Sequence, residues 1–195
     1  MQKIMFNERY GLQKSVLEGR KTQTRREPFY SDKEVGCVLN KNGKLECYND
    51  YNGNPIHTSR YALGEIVAIA QSYEQINLDF AQYQDMSFQS KRVAHWGNPK
   101  TMKGWKNKMF VRADLMLHHI KITYIRCERL QDISKEDCLK EGVFLSAKGY
   151  YHIGNCETKF YYAEQSFKYI IGKLNGKKFW DTNPYVIVYE FEKID

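Results

Sequence analysis

Hydrophobic and polar positions along the chain fall into alternating runs separated by turn-rich polar segments. Gln2 to Phe6 is a short apolar start that fits an opening strand, and Tyr61 to Ser72 is a longer strand-like run. Met109 to Val111 and His119 to Leu130 read as further strands. In the latter, Ile120, Ile122, Tyr124 and Arg126 face one way, and Lys121, Thr123, Ile125 and Cys127 the other. Such mixed faces suit a barrel wall buried on one side and partly covered on the other. Tyr185 to Phe191 is the last strand, with Tyr185, Ile187, Tyr189 and Phe191 opposite Val186, Val188 and Glu190. Helical spacing appears before Glu18, where Tyr10, Val16 and Leu17 point inward, and in Ala163 to Leu174, stopped near Asn175-Gly176. Gln75 to Ser90 carries a weaker helical pattern through Ile76, Phe80, Tyr83 and Phe88. Between these runs, Asn42-Gly43 and Asn52-Gly53-Asn54-Pro55 read as turns, with Lys44 to Tyr48 as one arm of a hairpin. The pattern predicts an α+β fold: a small, mostly antiparallel β-barrel with two or three peripheral helices. It is read as a single domain over 1–195, with insertions at about 37–60, 74–107 and 144–163.

One corner stands out. Gly19-Arg20-Lys21-Thr22-Gln23-Thr24-Arg25-Arg26 packs four cations and two hydroxyls behind a glycine placed to end the first helix. Residues three apart on an ideal strand face opposite ways, so Lys21 and Thr24 converge only if Lys21 belongs to the turn or to a bulge. Taken alone, such a cluster reads as a solvated basic face rather than a catalytic site. A second stretch, Leu130 to Gly142, changes this. Ser134 followed by Asp137 is a capping start, and Gly142 a stop, which puts Glu141 in the last turn of a short helix. The helix dipole disfavours a carboxylate there, and the basic corner is a candidate source of the compensating cation.

Gly19 to Arg26, Tyr61 to Ile69, Ile122 to Gly142 and Asn183 to Glu192, in this order, resemble the ASCH domain family, which shares the PUA-like fold. The Leu130-Gln-Asp-Ile-Ser stretch with Asp137, Glu141 and Gly142 is similar to that of phage and prophage ASCH proteins. The resemblance implies a PUA-like barrel and binding of RNA or a nucleoside or nucleotide. One bacterial branch consists of amidohydrolases that deacetylate acetylcytidine with a lysine, a threonine and a glutamate. These fall on Lys21, Thr24 and Glu141, with Arg26 matching the closing arginine of the corner motif, whereas this chain is far longer. Arg20 and Arg25 are further candidate substrate contacts.

Composition narrows the setting. At 42% apolar and 14% aromatic the chain is that of a folded globular protein. No apolar run reaches membrane-spanning length and the amino terminus does not read as a signal peptide, so no membrane partner and a cytoplasmic location are expected. The formal charge is +7, and Lys91 to Arg112 contains seven cations and no acid, which leaves the remainder formally neutral. Lys91, Arg92, Lys100, Lys103, Lys106, Lys108 and Arg112 interleave with Trp96 and Trp105, a pattern that suits phosphate neutralisation plus base stacking. The five cysteines, 37, 47, 127, 138 and 156, form no C-x-x-C pair and read as reduced thiols. Cys47, Cys127 and His118 or His119 are a combination the fold could bring together, but no metal or cofactor is expected. No P-loop or Rossmann signature is present.

Without a cofactor, Thr24 would attack an amide carbonyl and Lys21 would accept its proton if neutral. Glu141 would orient Lys21 or the substrate's amino nitrogen, and Arg26 would hold developing negative charge. The alternatives are a non-catalytic RNA-binding module and a phage-encoded interaction protein using the tyrosine-rich segment that holds Tyr150, Tyr151, Tyr161 and Tyr162.

Overall fold

A computed structural model describes residues 1–50, 53–82 and 103–195, which fall into two compact units. The first comprises residues 1–6 and 66–119 with Asp195; the second comprises 7–65 and 120–194.

In the first unit, strands β1 (Gln2–Ile4) and β6 (Ile66–Ile69) run parallel, with Gln2 opposite Val67 and Ile4 opposite Ile69. Helix α2 (Tyr73–Gln82) follows. Ala68, Ala70, Tyr73, Ile76, Val111 and Met116 form the core of this unit, and Trp105 packs against it. The expected strand at Met109 is a single 3-10 turn, Lys108–Phe110, capped by the Asn107 side chain. The run from Tyr61 shortens to the four residues of β6 because Gly64, at φ 78°, turns the chain.

The second unit is built on an antiparallel ladder. β10 (Tyr185–Lys193) lies between β2 (Gln23–Phe29) and β7 (His119–Arg129), of which residues 120–129 belong to this unit. Val186, Ile187, Val188 and Tyr189 are all buried, so both faces of the middle strand are covered. A second sheet joins β3 (Gly36–Leu39), β4 (Leu45–Tyr48) and β5 (His57–Thr58), so Lys44 to Tyr48 is indeed a hairpin arm. A hairpin of β8 (Val143–Leu145) and β9 (Tyr151–Ile153) packs under α4 (Ala163–Asn175). The short helices α1 (Leu12–Leu17) and α3 (Lys135–Lys140) complete the unit.

The α+β class holds, but the barrel does not: among the described residues no closed barrel is found, and there are four helices rather than two or three. The mixed faces of β7 have a different cause. Tyr124 pairs with Glu190 and Ile122 with Phe191, so Thr123 is an extra residue that resets the alternation. Ile120, Ile122 and Ile125 are consequently all buried, while Tyr124 is 52% exposed. Strict alternation had put Ile125 on the wrong face.

Candidate functional site

The corner after α1 is a Schellman turn. Gly19, at φ 73°, donates to Val16 O, and Arg20 donates to Ser15 O, each at 2.9 Å. Lys21 N also reaches Ser15 O, which swings the chain out of the helix and into β2. The turn brings the corner onto the last turn of α3, whose start is fixed by Ser134 Oγ accepting from Asp137 N at 3.1 Å. Two α3 carbonyls left without helical donors find them in the corner: Thr22 N donates to Lys140 O at 2.8 Å, and Lys21 Nζ to Glu141 O at 2.9 Å.

Lys21, Thr24 and Glu141 are 3%, 5% and 4% exposed. Lys21 Nζ donates to Gln23 O at 2.8 Å and to Glu141 Oε2, so with the Glu141 carbonyl its three protons have three acceptors. Burial pulls Lys21 below the ordinary lysine range, while the Glu141 carboxylate opposes that shift. The other oxygen of Glu141 accepts from Arg25 Nη1 at 3.1 Å. The carboxylate at the negative end of the helix is therefore held by two cations of the corner, as its position demands.

Gly142, at φ 99°, lets the chain leave α3 closely over Lys21, whose Cβ would lie 3.3 Å from any added side-chain carbon. Thr24 follows the Gln23 carbonyl that Lys21 grips, and no hydrogen bond engages its hydroxyl among the described residues.

The remaining candidates divide. Arg25 is fully withdrawn into an ion network: it binds Glu128, Asp137 and Glu141, and Arg126 joins Glu128, Asp137 and Glu190. Gln23 sits between Arg25 and Asp137. Arg26 is half-buried; burial pulls it below the ordinary arginine range, and the Glu141 and Glu27 carboxylates oppose that shift. Arg20 is turned to the surface, paired with Glu18 and lying over the Phe144 ring at 5.4 Å. In the basic segment, Lys91, Arg92, Trp96 and Lys100 lie outside the described residues. Lys108 Nζ is tied to Phe6 O at 2.6 Å, and Arg112 is paired with Asp114. Trp105 is half-buried against the core of the first unit, while Lys103 and Lys106 are exposed.

Two features went unread in the sequence. Glu27 sits in β2 at φ 56°, where the strand carries an extra residue between the pairs Arg26–Ile187 and Phe29–Tyr185. Its carboxylate accepts from the Tyr189 hydroxyl at 2.6 Å, from Arg60 N at 3.0 Å and from His57 Nε2 at 3.3 Å. Beside it, the Sγ atoms of Cys37, Cys47 and Cys127 lie within 4.8 Å of one another. Hydrogen bonding to Cys127 and Cys47 pulls the Cys37 thiol down to about 4, and the same contacts push Cys127 up. Of the combination Cys47, Cys127 and His118 or His119, the two cysteines do meet, but with Cys37 in place of a histidine; both histidines face the Asp195 carboxylate, at 3.5 and 2.8 Å. A signal was present: Cys37, Cys47 and His57 are spaced symmetrically about Asn42 and Asn52, each followed by glycine, so two reversals put the three in one row.

No family model, no curated protein and no solved structure matches the chain. No described helix is long and apolar enough to cross a membrane.

Proposed function

We propose that the chain is a nucleoside-binding protein of ASCH type that hydrolyses an acyl amide on a cytidine-like base, using Lys21, Thr24 and Glu141 without a metal. The observation that supports it is the buried Lys21–Glu141 pair, anchored on the carbonyl that precedes Thr24, whose hydroxyl is left unengaged by the described residues.

In the resting arrangement Lys21 is saturated as an ammonium and is no base. A substrate whose amide N–H donates to Glu141 takes over that carboxylate. Burial then outweighs the weakened partner and favours the neutral amine, the ammonium proton being released to solvent as substrate binds. Thr24 Oγ attacks the acyl carbon as its proton passes to Lys21, and Arg26 stabilises the oxyanion. The C–N bond breaks as that proton is relayed through Glu141 to the leaving amine. Water then cleaves the acyl-threonine, releasing the carboxylic acid and restoring the hydroxyl. Arg20 and Arg25, being turned outward and locked in the ion network respectively, take no part in these steps. The test is release of cytidine from acetylcytidine by the purified protein beside Thr24→Ala and Lys21→Ala. Turnover lost in both supports the mechanism, and turnover unchanged in Thr24→Ala refutes it.

A second reading, RNA binding without catalysis, is favoured by Met109 and Phe110, which are 62% and 58% exposed beside the exposed cations Lys106 and Arg112. Absence of turnover across acylated nucleosides, with salt-sensitive RNA binding, would decide for it.

A further inference from the structure

Three sulfurs converge in the second unit from three different strands. Cys37 on β3 and Cys47 on β4 are direct cross-strand partners, and their Sγ atoms stand 2.9 Å apart. Cys127 arrives from β7 to place all three within 4.8 Å. Cys47 is in turn the register partner of His57 on β5, so Cys37, Cys47 and His57 form one row across the sheet and share one of its faces. The His57 ring is stacked on Phe29, with centroids 4.6 Å apart, and its Nε2 meets Glu27 Oε2.

We infer that Cys37, Cys47 and Cys127 bind a zinc ion, with the fourth corner of its tetrahedron left to a solvent molecule. Zinc takes thiolates at about 2.3 Å in a tetrahedron, whose corners are then about 3.8 Å apart. The three sulfurs already sit at that scale, the Cys37–Cys47 pair needing to open by about 1 Å. A disulfide accounts for two of these sulfurs and leaves the third unexplained, and 2.9 Å is a non-bonded separation against the about 2.05 Å of an S–S bond. Glu27 fixes the His57 ring at the end of this row by accepting from its Nε2–H. Glu27 holds this place from a left-handed backbone conformation that a glutamate rarely adopts.

Binding releases the protons of the thiols to buffer and leaves three sulfur bonds to zinc, with no change of oxidation state. The ion would tie β3, β4 and β5, an excursion of the chain, to β7 in the main ladder. This site is separate from the Lys21 corner and is indifferent to whether that corner is catalytic.

The test is titration of the reduced, chelator-stripped full chain with Zn2+ and, for spectroscopy, Co2+. One equivalent of Zn2+ should remain on the protein in native mass spectrometry and raise its Tm. Co2+ should give thiolate-to-metal charge-transfer absorption scaled to three sulfurs, with the visible bands of a tetrahedral ion. Cys37→Ser and Cys127→Ser should each weaken binding at least tenfold and reduce that absorption. Cys156→Ser should leave both unchanged. No uptake by the reduced protein, weak binding of several equivalents, or a Co2+ complex of the unaltered chain lacking thiolate absorption would overturn the assignment. The last reading needs no variant to fold. A chain that only forms a Cys37–Cys47 disulfide on oxidation, without taking metal when reduced, would overturn it too.

Discussion

Lys21 and Glu141 illustrate what a single residue pair contributes and what it costs. Each is buried, and each is compensated more than once: Lys21 by three acceptors, Glu141 by Lys21 and Arg25. Removing one member of a buried ion network typically costs about 3–5 kcal/mol, because its partners keep their burial and lose their compensation. Arg25→Met should lower stability by roughly that amount in urea unfolding, and Arg25→Lys should recover little, since an ammonium cannot reproduce the fork that engages Glu128, Asp137 and Glu141. Thr24→Ala should leave the urea midpoint almost unchanged while abolishing hydrolysis, because the hydroxyl makes no hydrogen bond to the described residues.

The pH profile tests the same pair. Burial lowers the Lys21 pKa, and the neutral amine is the active form, so activity should rise with pH along a limb below the ordinary lysine value of about 10.4. Glu141→Gln removes the partner that opposes the shift, and whatever rate remains should show that limb at still lower pH. A limb moved upward would contradict the assignment. The need of Glu141 for a cation was legible in the sequence, because its place at a helix end follows from Ser134 and Gly142. The identity of the second cation, Arg25, was not, since strand alternation alone does not say which arginine faces α3.

Among elements, the ones legible in advance had strong local signals: the Gly19 turn, the Ser134 cap, the Lys44–Tyr48 arm, and α4 with its apolar stripe. Those that differed involve extra residues. Thr123 in β7 and the Glu27–Pro28 step in β2 each insert one residue against β10, and a bulge leaves no mark in hydrophobic alternation except an apparent confusion of faces. The closed barrel was inferred from such a confusion. The β8–β9 hairpin is docked through a contact of another kind: Asn155 N donates to Tyr10 O at 3.1 Å, and Gly154, at φ 55°, passes so close that an added Cβ would fall 1.7 Å from that oxygen. Gly154→Ala should therefore destabilise the fold by more than about 2 kcal/mol, a cost of strain and clash together. The cap at α3 is worth less; Ser134→Ala should cost about 1 kcal/mol. Thermal unfolding of the two variants side by side would check that order.

Across the whole molecule, the role of the charge was only partly legible. The excess of cations was evident from Lys91 to Arg112, yet the side chains of its described portion are put to different uses: Trp105 fills a core and Lys108 holds the Phe6 carbonyl, whereas Lys103 and Lys106 stay exposed. Aromatic and cationic spacing is the same for packing and for base stacking, so sequence could not separate them. If the exposed cations contact RNA, affinity measured by fluorescence anisotropy should fall as salt rises, with a log–log slope that becomes shallower in Lys103→Ala/Lys106→Ala. A slope unchanged by that double substitution would remove this surface from consideration.

The capping of α3 by the corner also bears on how the chain is made. Lys21 and Glu141 are 120 residues apart in sequence. At a ribosome adding about 5–20 residues per second, the lysine waits several seconds for its carboxylate. During that interval nothing compensates its burial, so the corner stays hydrated and β2 has neither its β10 partner nor the helix end that orients it. Contacts of such separation form late and slow folding. The charge network that gives the candidate site its rigidity is thus among the last parts of the second unit to assemble, and a nascent chain halted before Glu141 would present its four-cation corner to the surrounding solution.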